Sequence, residues 1–198
     1  MIKIGITGGI GTGKTFVCKI FETLGVPVFY ADEEAKLLIH SNPEINKAII
    51  NTFGEEAYQN GIYNRDYIAK IVFNDSNKLK KLNEIVHPVL KEQFNKWCKN
   101  QDYPYCLKET ALLFETGSDK ELDRVVVVDA PDELRISRIL KRDPFRKEEE
   151  IKSIFKKQWS QKKKIQMGQN IIQNDGQKML IPQVLSLHSF FLSLSTHD

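Results

Sequence analysis

Residues 8–15 read GGIGTGKT and fit G-x-x-x-x-G-K-[ST], with Gly8, Gly13, Lys14 and Thr15 at the fixed positions. These residue types suit the holding of a polyphosphate, the other reading of the stretch being a glycine-rich turn in a β-α unit. Glycines let successive backbone N–H groups turn toward phosphate oxygens in conformations that a Cβ forbids. The lysine reaches the β- and γ-phosphates, and the threonine hydroxyl is a ligand for the Mg²⁺ that bridges them. A helix after the loop adds its positive end. The nucleotide-binding set is therefore Gly8, Gly9, Ile10, Gly11, Thr12, Gly13, Lys14 and Thr15, with the adjoining Phe16.

Other candidates carry charge. Asp32 follows the second apolar stretch of the chain, where a carboxylate facing a γ-phosphate can accept the proton of an attacking hydroxyl. It can equally cap a helix together with Glu33 and Glu34, and the sequence leaves both readings open. Glu109 ends an apolar run as a Walker-B carboxylate does, with a role on Mg²⁺ or merely as a polar strand end. Arg135, Arg138 and Arg142 recur at helical spacing and can share one face. Residues 141–164 carry ten Lys or Arg against four Asp or Glu. Transfer of a phosphoryl group needs cations around it and water shut out, which a mobile arginine-bearing lid supplies. Most lysines here read as a solvated face, and the reading rests on Arg138 and Arg142 alone. His87 precedes Pro88 inside a helical pattern, a place for a buried hydrogen-bonding residue.

The elements around these residues alternate. Residues 3–7 (KIGIT) form a strand, and Val17, Ile20, Phe21 and Leu24 mark the helix that Gly25 stops. Strands follow at 26–30, 105–109, 124–129 and 170–173; the four valines of 124–129 suit a strand buried on both faces of a parallel sheet. Helices are expected at 32–40, 44–53, 65–73, from the cap at 75–77 through Trp97, at 132–142, 148–164 and 177–194. Gly54 and the pair Asn60 and Gly61 punctuate a turn or small hairpin, and Pro88 should kink its helix. Five strands alternating with helices indicate an α/β fold with a parallel sheet. The helical stretch 33–101 is too long for a plain crossover and reads as an insert over the strand ends.

The totals narrow the class. The chain has 198 residues, 41% hydrophobic and 28% charged, as in an ordinary globular protein, and its formal charge of +3 is too small to argue for nucleic acid or membrane. Only Phe145, Phe155 and Trp159 accompany the basic stretch, too few interleaved aromatics for a nucleic-acid surface. Cys18, Cys98 and Cys106 are odd in number and lack C-x-x-C, which argues against a disulfide framework or zinc site. The start of the chain has no basic and apolar leader pattern, and no apolar run approaches a membrane span, so a cytoplasmic location is expected.

Taken together the residues resemble the dephospho-coenzyme A kinase family over nearly the whole chain. The resemblance rests on ITGGIGTGKT, the strand into Ala31 and Asp32, Arg65 eight residues before Phe73, LNEIVHP at 82–88 and LLFE at 112–115. It continues through 125–129 to Arg138 and KRD at 141–143, then Gln158, Ile172 and 174–176. It implies transfer of the γ-phosphoryl group of ATP, with Mg²⁺, to the 3′-hydroxyl of the ribose of dephospho-coenzyme A. The implied fold is a P-loop three-layer fold with a five-stranded parallel sheet. Its parts are a core (about 1–32, 102–137 and 168–198), an acceptor-binding helical insert (about 33–101) and a lid (about 138–167). By the same resemblance Asp32 is the general base and Lys14, Arg138 and Thr7 act at the transferring phosphate. Arg142 flanks the nucleotide, Asp32, Arg65 and His87 bind the acceptor, and Thr15 and Glu109 serve the metal. The chain departs from the family pattern at Tyr30, Ala111 and Gln169, where the family usually has Asp, Pro and Asp. Two rival classes share the loop. Another small-molecule kinase, for a nucleotide or shikimate-like acceptor, gives no reason for the insert carrying His87 and Pro88. A non-catalytic ATP-binding regulator gives no reason for Asp32. No N-K-x-D is present to read a guanine base.

Overall fold

The computed structural model describes residues 1–73 and 75–195. The chain divides into two compact units, one of residues 1–30 and 101–198 and one of residues 31–100.

The first unit is built on a five-stranded sheet. Its strands are β1 (Ile2–Thr7), β2 (Val28–Tyr30), β5 (Tyr105–Glu109), β6 (Arg124–Asp129) and β7 (Asn170–Gln173), in the order β2-β5-β1-β6-β7. All four pairings are parallel. The valines of β6 explain why the sheet is covered on both sides. Val126 and Val128 join one core cluster with Ile4, Ile6, Val17, Phe21 and Phe191, whereas Val125 and Val127 join another with Leu113 and Phe114. Side chains alternate across a strand, so a run without polar residues needs an apolar layer on each face. Helices α1 (Lys14–Thr23) and α9 (Leu180–Ser195) supply the first layer, and Trp159 and Ile165 join the second. The result is a three-layer α/β fold.

The remaining helices of this unit are α6 (Asp132–Arg142), α7 (Glu148–Lys157) and α8 (Gln161–Met167). The one helix expected over 148–164 is thus two. Gln158 leaves the helix in an extended conformation, and the Ser160 side chain accepts a hydrogen bond from the Lys163 N–H, starting α8 as an N-cap. Likewise the last helix starts at Leu180 and not at 177. Asp175 takes the N–H groups of Gln177 and Lys178, each at 2.9 Å, in a turn that precedes it.

The second unit holds α2 (Ala31–Ser41), α3 (Pro43–Phe53), α4 (Arg65–Phe73) and α5 (Ser76–Lys99), with a hairpin of β3 (Tyr58–Gln59) and β4 (Ile62–Tyr63). Asn42 caps α3 with Pro43 at its first position, and Asp75 caps α5 by accepting from the Asn77 and Lys78 N–H groups. Leu38, Ile45, Ile49, Phe53, Ile68, Val86, Leu90 and Phe94 are buried in this unit. The Tyr58 hydroxyl donates to the Ile39 carbonyl at 2.6 Å and the Tyr67 hydroxyl to that of Phe53 at 2.9 Å, tying hairpin and α4 to the preceding helices. Helix α5 continues through Pro88.

A buried ion pair holds α8 in the first unit. Lys164 is fully buried, and its Nζ lies 2.7 Å from Glu115 Oε1 and 2.7 Å from the Ala111 carbonyl, while Glu115 also accepts from the Trp159 N–H at 2.8 Å. Removing one partner of such a pair leaves a buried charge that nothing balances. Glu115→Ala should cost about 3–5 kcal/mol of stability, read by denaturant unfolding. The double variant Glu115→Leu with Lys164→Met should recover most of that loss.

Candidate active site

The phosphate loop leaves β1, the central strand, between β5 and β6. Register places Ile6 beside Glu109 and Thr7 beside Val127, so the loop starts at the carboxyl edge of the sheet. Gly8 takes φ 148°, and a Cβ there would run into the Val128 carbonyl oxygen. Gly13 is left-handed at φ 91° and caps α1, where a Cβ would overlap the carboxamide of Asn174. The glycines of the motif therefore answer both to backbone conformation and to close approach.

Lys14 and Thr15 begin α1, whose first N–H groups have no intrahelical acceptor. Lys14 is buried, with its Nζ 3.4 Å from the Gly9 carbonyl and 3.9 Å from Glu109 Oε1, and Thr15 is exposed. Glu109 is buried too. The Thr12 hydroxyl donates to the Gly9 carbonyl at 2.9 Å and tightens the loop. Thr7 is fully buried, its hydroxyl 3.5 Å from the Ala111 carbonyl. Burial, reinforced by Glu109, pushes the Cys18 thiol well up, which suits a neutral core residue. Tyr30, the departure at the end of β2, donates to Glu22 at 3.0 Å under the Lys19 ammonium.

The three arginines of α6 do not act alike. Arg138 Nη2 donates to Asn174 Oδ1 at 3.0 Å, and Asn174 Nδ2 donates to the Thr12 carbonyl at 2.8 Å. This relay ties Arg138 to the phosphate loop, and its buried Nη1 has no hydrogen-bond partner among the described residues. Arg142, in the last turn, is exposed, and among the described residues no such relay ties it to the loop. Arg135, which the sequence offered only as a member of the same face, is buried beneath the loop. Its Nε donates to the Ile10 carbonyl at 2.9 Å, its Nη1 to Asp132 at 2.6 Å, and its guanidinium lies 3.8 Å over the Phe155 ring. Burial pulls its pKa below the usual range, opposed by Asp132 and Asp129.

Two further groups were not assigned from sequence. The Gly9 N–H donates to Gln161 Oε1 at 2.7 Å and the Ile10 N–H to Gln158 Oε1 at 3.0 Å. Gln158 and Asn174 stood among the residues of the family resemblance without a role; Gln161 had no signal. Gln169, the third departure, accepts from the Val125 N–H at 2.7 Å and extends the β6–β7 pairing.

In the second unit, Asp32 lies exposed in the first turn of α2. Arg65 opens α4 and lines a polar cleft of about 470 Å³ with Gln59, Asn60, Tyr63, Asn64 and Asp66. His87 is half-buried in α5.

The chain is similar to known proteins over nearly its whole length. The sequence model of the dephospho-CoA kinase family matches residues 2–179. A dephospho-CoA kinase of Bacteroides fragilis is 40% identical over 193 residues, covering 96% of this chain and 92% of that protein. A solved protein from Thermus thermophilus superposes with a TM-score of 0.84 at 27% identity, covering 98% of this chain and 97% of the other. A shikimate kinase from Bacteroides thetaiotaomicron is similar in fold alone, with a TM-score of 0.54 at 12% identity over 96% of this chain and 97% of that one.

The Lys14–Glu109 pair separates charge balance from chemistry. Lys14→Ala should lower nucleotide turnover about a hundredfold or more and also lower the melting temperature, because Glu109 loses that cation. Adding Glu109→Gln should restore the melting temperature and leave turnover low.

Proposed function

The chain belongs to the dephospho-CoA kinase family, transferases that phosphorylate dephospho-CoA in the final step of coenzyme A biosynthesis, and from that premise we propose how its residues divide the work. The donor of the phosphoryl group is ATP, and the acceptor atom is the 3′-hydroxyl of the ribose. The observation that carries this reading is the phosphate loop at the start of α1, with buried Lys14 behind it and Arg138 tied to it through Asn174.

Residues 8–16 bind the ATP phosphates, Lys14 as a fixed charge and the N–H groups at the start of α1 as donors. Arg138 is held by one nitrogen, which leaves Nη1 for charge developing on the transferring group. Thr7 is part of the wall at that phosphate, and Arg142 meets the nucleotide from the exposed end of α6. Asp32 accepts the proton of the attacking hydroxyl, and Arg65 and His87 bind the acceptor. The polar cleft around Arg65 suits an anionic or hydrogen-bonding part of that molecule. Residues about 138–167 serve as lid over a core, and about 33–101 as the acceptor-binding insert.

The donor set at the loop fits Mg²⁺. It has one threonine hydroxyl and one buried carboxylate, Thr15 and Glu109, and no cluster of three His, Cys, Asp or Glu side chains occurs among the described residues. Mg²⁺ takes one or two protein oxygens and completes its shell with phosphate and water. Held by Thr15 and Glu109, the ion would supply positive charge to balance that of the ATP phosphates. Among the described residues no helix is long and apolar enough to cross a membrane.

ADP release from ATP and Mg²⁺ should require dephospho-coenzyme A and yield coenzyme A. Release with AMP, shikimate or pantothenate as the sole effective acceptor would overturn the assignment of substrate. Asp32→Asn should depress kcat about a hundredfold or more with little change in ATP affinity, because a base acts only in the chemical step. A variant that chiefly loses ATP affinity would place Asp32 in the metal shell instead.

A further inference from the structure

The break between α7 and α8 carries two glutamines whose carboxamides reach the phosphate loop across 148 and 152 residues of sequence. Gln161 Oε1 accepts from the Gly9 N–H at 2.7 Å, while its Nε2 donates to Asp129 Oδ1 at 2.9 Å and to the Val128 carbonyl at 3.2 Å. That carboxamide has a donor on its oxygen side and two acceptors on its nitrogen side, so only one orientation satisfies it. Gln158 Oε1 takes the next N–H of the loop, that of Ile10, at 3.0 Å. Arg135 closes the same segment from its carbonyl side, with Nε 2.9 Å from the Ile10 oxygen and its guanidinium against Phe155 of α7.

The backbone that carries these glutamines is itself anchored. Lys164, fully buried, binds Glu115 and the Ala111 carbonyl, and Glu115 accepts from the Trp159 N–H. Residues 158–164 are therefore fixed to the core at both ends of the two-glutamine stretch. A glycine-rich loop has many conformations of similar energy, and only those with N–H groups converging on one point bind a phosphate well. Holding the Gly9 and Ile10 peptides removes much of that freedom and leaves the N–H groups at the start of α1 for the ligand.

We propose that Gln158 and Gln161 are positioning residues that hold the phosphate loop in its anion-binding conformation and couple it to the base of the α7–α8 segment. The proposal rests on the reading of the loop as an ATP site. Since pre-ordering the loop helps the bound ground state and the transition state equally, its loss raises the KM for ATP and spares kcat.

The test measures kcat, the KM values for ATP and dephospho-coenzyme A, direct binding of ATP with Mg²⁺, and melting temperature for Gln158→Ala, Gln161→Ala and the double variant. Each single variant should raise the ATP KM severalfold and the double variant about tenfold, with kcat and the dephospho-coenzyme A KM within about twofold of wild type. Gln161→Glu keeps an acceptor for Gly9 but turns a carboxylate on Asp129 and Val128, so it should bind ATP no better than Gln161→Ala. An unchanged ATP KM alongside a lower melting temperature would reduce the glutamines to a structural role and overturn the proposal. Tighter ATP binding would overturn it too, by showing that the carboxamides block groups the nucleotide needs. A loss confined to kcat would put them in the chemical step instead. Gln158 makes a single bond to the loop, so Gln158→Ala decides the matter alone if the double variant does not fold. Wild-type protein that binds no ATP would instead defeat the functional reading beneath the proposal.

Discussion

A turn of main chain between β1 and α1 has to aim several N–H groups at one small volume, and much of the first unit is arranged to let it. Peptide N–H groups converge only where side chains are absent and the helix start is held still. Gly8 and Gly13 meet the first demand, with the Val128 oxygen and the Asn174 carboxamide filling the space that any Cβ would take. The second is met by the sheet, whose central strand delivers the loop at its carboxyl edge, and by α1, anchored through Val17, Cys18 and Phe21 in the main core.

Lys14, Arg135 and Lys164 are buried cations of the first unit, and each is held in its own way. Lys14 lies beside Glu109, Arg135 against Asp132 and the Ile10 carbonyl, and Lys164 on Glu115. A buried cation without a partner costs several kcal/mol by order of magnitude, so these pairings are conditions for having the charges at all. They also divide the labour. Arg135 and Lys164 are spent on architecture, one under the loop and one under α8. Arg138 is held through Asn174 by Nη2, and its buried Nη1 has no hydrogen-bond partner among the described residues. A single helix thus presents two arginines three residues apart, one supporting the loop and one tied to it through Asn174.

The second unit solves a different problem with ordinary means. Its helices are started by Asn42 and Asp75 and locked by tyrosine hydroxyls on carbonyls, and its core is aliphatic. The polar residues of its hairpin and the start of α4 surround Arg65 in a cleft, which a packed helical core by itself does not supply.

Much of this was legible in the residues alone. The phosphate motif declares itself because its chemistry is local: the glycines, lysine and threonine must be adjacent to do their work. Strands β5, β6 and β7 were readable to the residue, and β6 most directly, since its valine run buried on both faces has no competing pattern. The family resemblance, too, lies in short local motifs. The tertiary structure decided what depends on distant partners. The break at 158–160 was hidden inside a basic helical pattern, because Ser160 caps α8 only once Gln158 has left the helix. Arg135, Arg138 and Arg142 share a spacing that cannot rank them; burial under Ile10, a relay through Asn174 and exposure at the helix end do. Gln161 gave no sign of its place on Gly9, for a hydrogen bond between residues 152 apart exists only after the sheet has brought them together.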